Sequence, residues 1–437
     1  MSLKGANWSR RSWVALGVVA LVGLALRLLY IGDPGYADDL GDFATLTANI
    51  ERVGLGRAYD GVMSFGPVVA YTWWLLTLVN PTAFHAAVNS SDPAVTVLLK
   101  VPPVLADFGL AALVLYALRA RPTWAVVAAA IVLLHPVTWF VSAWWGQYES
   151  VYVLFALLAF VLAVRDHPLL GAIALTAAVL AKPQALPFVL PFAAWYLARY
   201  DRRTLLRSGL SAVVTAIVLW LPFLPWDGPG RYLTELAYYY NVRFDVLSLR
   251  AWNMWWIVEH NILHIRFQDD RAVALGPLTY RMIGFAITGL LSGLVAYRIW
   301  RRPTPAVFAA GLAASVLIAF AFLTSMHDRY AYAAVIFLAL LPDRRSALLF
   351  SIPVGALIMW NLLASASASG LLHWQWNSVG TAPLVGSIGM CVCALLAIAV
   401  VWGIGPNDDS ALDATTSADL EAADSGARDP ARLASAT

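Results

Sequence analysis

The chain has 437 residues, 60% of them hydrophobic and only 13% charged, and its mean hydropathy is +0.70. That balance excludes an ordinary soluble domain and describes a polytopic helical membrane protein. The formal net charge of +3 says little about partners, and nothing in the chain points to nucleic acid.

Lys4, Arg10 and Arg11 precede an apolar run with no small-residue cleavage site behind it, so 13–30 reads as an uncleaved first span. Arg27, near its end, is placed to snorkel to the interface. A long loop follows and carries three carboxylates, Asp38, Asp39 and Asp42. On a helix Asp38 and Asp42 share a face, with Asp39 about 100° away. Such a cluster is a solvated helix cap, a metal site or a general base. Inside the same loop, 65–79 is apolar but too short for a confident span and reads as lying in the interface.

Eleven further spans follow: 95–118, 124–143, 151–164, 169–181, 185–198, 208–224, 277–300, 306–323, 331–341, 347–363 and 383–402. With the N-terminus inside, the arginines at 119, 121, 165, 199–207, 298–302 and 344–345 all face the cytoplasm. Counting 65–79 as a span would move every one of them outside. The expected fold is therefore an all-α bundle of about twelve spans, with both termini cytoplasmic and interfacial helices in the first outer loop. Residues 1–403 form the membrane domain. Residues 404–437, rich in Ala, Asp, Ser and Thr, read as a disordered cytoplasmic tail.

This topology sends the polar motifs to one side. The aspartate loop, Trp144 to Ser150, Lys182 to Gln184, the 226–276 loop and Met326 to Tyr330 all fall on the outer face, whereas the inner loops are short and basic. Lys100 and Asp107 lie seven residues apart on one face of a span. Asp107 sits on the order of 18 Å below its outer end, where a charge needs a protein partner. Cys391 and Cys393 share an apolar span and carry no redox information. Glu259, His260 and His264 do not follow the His-Glu-x-x-His order of a zinc protease helix. Asn89-Ser-Ser91 fits a glycosylation acceptor, which carries no weight in a bacterial-looking chain.

Four outer-face stretches resemble a known family. They are Asp39-x-x-x-Phe43 with Gly54 and Tyr59, Trp145-Gly-Gln-Tyr-Glu-Ser150, Ser248-Leu-Arg-Ala-Trp-Asn-Met-Trp255 and Met326-His-Asp-Arg-Tyr330. Together they resemble GT-C glycosyltransferases that use a polyprenyl-phosphate sugar, in particular bacterial proteins related to the second mannosyltransferase of GPI-anchor assembly. The resemblance runs from about residue 13 to 403, and Lys100, Asp107 and Lys182-Pro-Gln fit it. It departs at Ser64-Phe-Gly-Pro67, where the family carries an acidic residue in place of Ser64 and a proline in place of Gly66.

The resemblance implies inverting sugar transfer, with mannose as the sugar, from a polyprenyl-phosphate donor to a glycan, glycolipid or protein acceptor. The reaction would take place at the outer face of the plasma membrane. Asp39 is the expected base, with Asp42 and then Asp38 as substitutes. Arg329, His327, Lys182 and Lys100 are the expected phosphate contacts. Gln147, Glu149, Trp145, Asn253 and Trp255 are the expected sugar or acceptor contacts. A divalent cation, Mg or Mn, is the one cofactor in view, and its ligands are not assigned. Two other readings stay open: a lipid-linked-sugar flippase, for which no inverted repeat is found, and a non-catalytic glycan-binding relative.

Overall fold

The computed structural model describes residues 8–85, 92–366, 381–405 and Leu412. Asn89 and the expected tail lie outside the described residues, apart from Ile404, Gly405 and Leu412 of the tail. The described residues are 78% helical, and strand among them is confined to two short pairs.

Among the described residues, seven helices are long and apolar enough to cross a membrane: Arg10–Tyr30, Pro93–Ala117, Arg202–Trp226, Tyr280–Arg301, Pro305–Phe322, Arg345–Ser365 and Ala382–Gly403. A bent pair, Pro122–Leu134 and Pro136–Trp145, passes the same length and hydropathy test when taken together, with 43° between its halves. Pro136 breaks it because proline has no N–H to continue the ladder. The His135 ring caps the second half by accepting from the Val137 N–H at 3.2 Å. The other four expected spans fall on shorter helices: Glu149–Val164, Pro168–Val179, Val189–Arg199 and Tyr332–Leu338. Hydropathy counts these stretches alike, but even the 16-residue Glu149–Val164 reaches only about 24 Å against a core of about 30 Å.

Pro305–Phe322 is the centre of the bundle, 94% buried, whereas Arg10–Tyr30 lies at its edge, 11% buried. Leu21, Leu28, Leu210, Ile217 and Leu290 are exposed on the outside. A girdle of such side chains is solvated by lipid, which makes this a multi-pass membrane protein. The helix Pro67–Val79 has 13 residues, about 20 Å, and is too short to cross alone. It packs against the aspartate helix Ala37–Val53.

Arg27 corrects a sequence expectation. It does not snorkel; it is fully buried and bonds Asp107 with two nitrogens, at 2.9 and 2.7 Å. The expected protein partner of Asp107 is thus Arg27. Gly66 also gains a reason. Its N–H donates to the Ala181 carbonyl at 3.4 Å, and a Cβ there would run into the Leu180 carbonyl. No proline fits where these two backbones touch.

Candidate active site

Five chain segments meet above the bundle. The aspartate helix supplies Asp38, Asp39 and Asp42. Asp38 and Asp42 are exposed, while Asp39 is turned into the protein with its side chain 23% exposed. The same periodicity that puts Asp38 and Asp42 on one face sets Asp39 apart from them. Burial raises the Asp42 carboxyl above its ordinary value, and Asp39 and Asp38 add to this against Arg243.

The second segment is the end of the broken span. Phe140–Trp145 forms a π-helical turn, stopped by Gly146 at φ 86°. A Cβ at Gly146 would press on Leu40 and Lys100, so glycine suits both the dihedral and the space. This stop aims Trp145 and Gln147 at Asp39. The Trp145 Nε1–H donates to Asp39 Oδ2 at 2.8 Å, and the Gln147 amide donates to the same oxygen. Among the described residues Asp39 Oδ1 takes no hydrogen bond. Glu149 opens the next helix, Glu149–Val164, where a carboxylate suits the positive end of the helix dipole.

Lys182 follows the helix Pro168–Val179. Its Nζ donates to Glu149 Oε1 at 2.6 Å and to Gln147 Oε1 at 3.4 Å. Burial pushes the ammonium below its ordinary value, and Glu149 opposes that. The fourth segment is the turn after Pro305–Phe322. Met326 and His327 pair in parallel with Ser248 and Leu249 of the long loop, the fifth segment. Buried Asp270 of that loop holds Thr324 at 2.6 Å and Arg281 at 2.9 Å. Arg250, at φ 65°, reaches the Tyr36 hydroxyl and the Ser365 carbonyl at 3.0 and 3.1 Å. Sequence reading missed Asp270 and Arg250; their signal was only that both are ionisable groups in an outer loop.

Arg329 sits among three carboxylates, at 3.8 Å from Asp39, 3.5 Å from Glu149 and 3.7 Å from Asp328. Among the described residues its guanidinium makes no hydrogen bond. Its Nε is buried without a partner, as are Glu149 Oε2 and Asp328 Oδ1. Unsatisfied buried polar atoms are rare in native proteins, and three of them converge here. Burial raises the Asp328 carboxyl to about 6 despite Arg329. Burial also drives His327 well below its ordinary value, reinforced by Arg329 and Lys182. That favours the neutral imidazole at His327, which can still hydrogen-bond.

The other expected contacts lie deeper in the protein. Lys100 is fully enclosed and donates to the Asp33 carbonyl at 2.6 Å, below the aspartate helix. It stitches the loop to the span. The sugar contacts expected at Trp145, Gln147, Glu149, Asn253 and Trp255 fall on buried side chains, none more than 2% exposed. Both ends of the Gln147 amide are occupied, and Glu149 faces Lys182 and Arg329. Asn253 caps its own helix by accepting from Trp255 and Trp256 N–H, and it donates to Phe320. The Trp255 indole donates to the Phe322 carbonyl. These five shape the site from behind. Among the described residues no three His, Cys, Asp or Glu side chains form a metal-binding group. Asp39 Oδ2 is filled by N–H donors.

The sequence matches no protein-family model and no curated protein. Solved structures do resemble the chain. ArnT from Cupriavidus metallidurans bound to undecaprenyl phosphate has a TM-score of 0.50 at 14% identity, over 94% of this chain and 78% of that one. The archaeal oligosaccharyltransferase AglB from Archaeoglobus fulgidus, in complex with an inhibitory peptide and a dolichol-phosphate, has a TM-score of 0.45 at 14% identity. That match covers 93% of this chain, which spans 56% of the AglB chain. With its helical bundle, the short helices of its first loop and its likeness to ArnT, the chain has the GT-C fold.

Proposed function

We propose that this chain is an inverting membrane glycosyltransferase that moves a sugar, mannose, from a polyprenyl-phosphate donor to a hydroxyl of a cell-envelope glycan, glycolipid or protein. One observation carries the reading: the Arg329 guanidinium, partly exposed and without a hydrogen bond, next to a carboxylate with one unbonded oxygen. The first group suits a lipid phosphate and the second an acceptor hydroxyl. The ArnT structure was solved with undecaprenyl phosphate, and a carrier of that kind is the donor proposed here. The arginine distribution supports a site on the outer face of the plasma membrane with both termini inside. Residues 1–403 act as the catalytic unit, and 404–437 form a cytoplasmic tail.

Asp39 Oδ1 accepts the proton as the acceptor oxygen attacks the anomeric carbon. The bond from that carbon to the phosphate oxygen breaks on the opposite side, and polyprenyl phosphate leaves with the electron pair. Arg329 stabilises the charge gathering on it. Trp145 and Gln147 hold the other Asp39 oxygen and fix the carboxylate's aim. Purified protein in lipid, given radiolabelled polyprenyl-phosphate mannose and a panel of envelope glycolipids, should move label to one of them. Label that stays on the donor with every acceptor contradicts the proposal.

Donor affinity should depend on pH. Above about pH 6 Asp328 is charged and competes with the donor phosphate for Arg329. Below it Asp328 is neutral, while a phosphodiester keeps its single charge. Donor KM should therefore drop severalfold from pH 7.5 to pH 5.5, a change on the order of 1 kcal/mol. Asp328→Asn should flatten that dependence; an unchanged slope in the variant would remove Asp328 from the account.

A further inference from the structure

One fully buried carboxylate plays no part in the steps above. Asp107 lies in the helix Pro93–Ala117 and is tied to three other segments. Its Oδ2 accepts from Arg27 at 2.9 and 2.7 Å and from the Ser142 hydroxyl, and its Oδ1 accepts from the Tyr332 hydroxyl at 3.2 Å. All four side chains are fully buried.

Each tether ends beside a site residue. Ser142 belongs to the π-helical turn Phe140–Trp145, three residues before Trp145 and five before Gln147. Tyr332 follows Arg329 by three residues and opens the helix Tyr332–Leu338. Arg27 completes the frame at the helix break. In an unbroken helix the Leu133 carbonyl would accept from the Val137 N–H. Here that N–H turns to the His135 ring, and Arg27 donates to the Leu133 carbonyl instead, at 2.8 Å. Arg27 thus satisfies the carbonyl that the break exposes, and with the same guanidinium it holds the carboxylate that fixes both site-bearing segments.

We propose that Asp107, oriented by Arg27, is a positioning residue. It sets the register between the turn that presents Trp145 and Gln147 and the turn that presents Arg329. Apolar side chains of similar volume hold helices together as well as a buried ion pair does, and charges within a membrane span are costly. What the ionic group adds is direction, and both of its directions lead to the site. The activity readout below rests on the transferase reading; the exchange readout does not.

Two variants of the full chain in lipid nanodiscs test this. Tyr332→Phe removes one tether and keeps the ring. The double variant Arg27→Met/Asp107→Leu removes the ion pair and keeps the volume. Hydrogen exchange of peptides covering 140–148 and 326–331 is measured beside kcat, donor KM and melting temperature. Tyr332→Phe should speed exchange at 326–331 and lower kcat about fivefold, the size of one hydrogen bond. The double variant should loosen both peptides and lower kcat by about ten- to a hundredfold, with the melting temperature nearly unchanged. Wild-type exchange and turnover in the folded double variant overturn the proposal. If that variant does not fold, the same result in Tyr332→Phe overturns it. If the wild type moves no sugar, the transferase reading fails, and exchange alone decides whether Asp107 positions the two turns.

Discussion

Asp39→Asn should lower turnover by about 10² to 10⁴, the usual worth of a general base, while donor affinity stays within a few-fold of wild type. The substitution isolates basicity. An asparagine carbonyl accepts the Trp145 and Gln147 N–H bonds that now end on Asp39 Oδ2, so the local frame survives. The Arg329 contact at 3.8 Å loses only its ionic part. Single-turnover transfer and donor binding on one preparation check this. Turnover near wild type would pass the role to Asp42, whose carboxyl partial desolvation and the neighbouring Asp39 and Asp38 raise above its ordinary value.

The second large effect belongs to Arg329. Arg329→Lys keeps the charge facing Asp39, Glu149 and Asp328 but removes the planar fork that grips two phosphate oxygens at once. The loss of a hydrogen bond to a charged group is about 1.5–3 kcal/mol, so kcat/KM should fall by about ten- to a hundredfold, with donor affinity falling too. Melting temperature is read on the same preparation, because removing one partner of a buried charge group costs about 3–5 kcal/mol. Arg329→Ala therefore mixes folding with function, and the lysine variant is the cleaner test. A variant that melts early yet binds and turns over donor normally would make Arg329 a structural counter-ion of Asp328.

Much of this site was legible in the sequence because the membrane sorts polar groups. Asp39, Gln147, Glu149, Lys182 and Arg329 are far apart in the chain, but the arginine asymmetry sends their loops to one face, and the structure joins them through contacts of 2.5 to 3.8 Å. What hydropathy does not encode is which polar groups are already spoken for. Asn253 and Trp255 sit in a polar-aromatic stretch that reads as ligand-facing, yet their hydrogen bonds close on their own helix and on Phe320 and Phe322. Arg27 lies near a helix end, where snorkelling is the usual outcome; its burial depends on a break at Pro136 in a different span. The short helices Tyr332–Leu338 and Val189–Arg199 count as full spans in the sequence for a related reason: composition records that they are apolar without recording how far they reach. Ser64 and Gly66 depart from the family pattern, and the structure accounts for Gly66 through its contact with Leu180.

Photocrosslinking tests the central claim most directly, because it asks where the donor lies without asking whether it reacts. A polyprenyl-phosphate analogue with a photoreactive group on its headgroup is bound to the protein in lipid, irradiated, and the labelled peptides are mapped. Label should concentrate in peptides covering 36–43, 145–149 and 326–330, and excess unlabelled donor should compete it away. Competable label confined to peptides from 202–226 or 382–403, with none at Asp39 or Arg329, would contradict the account.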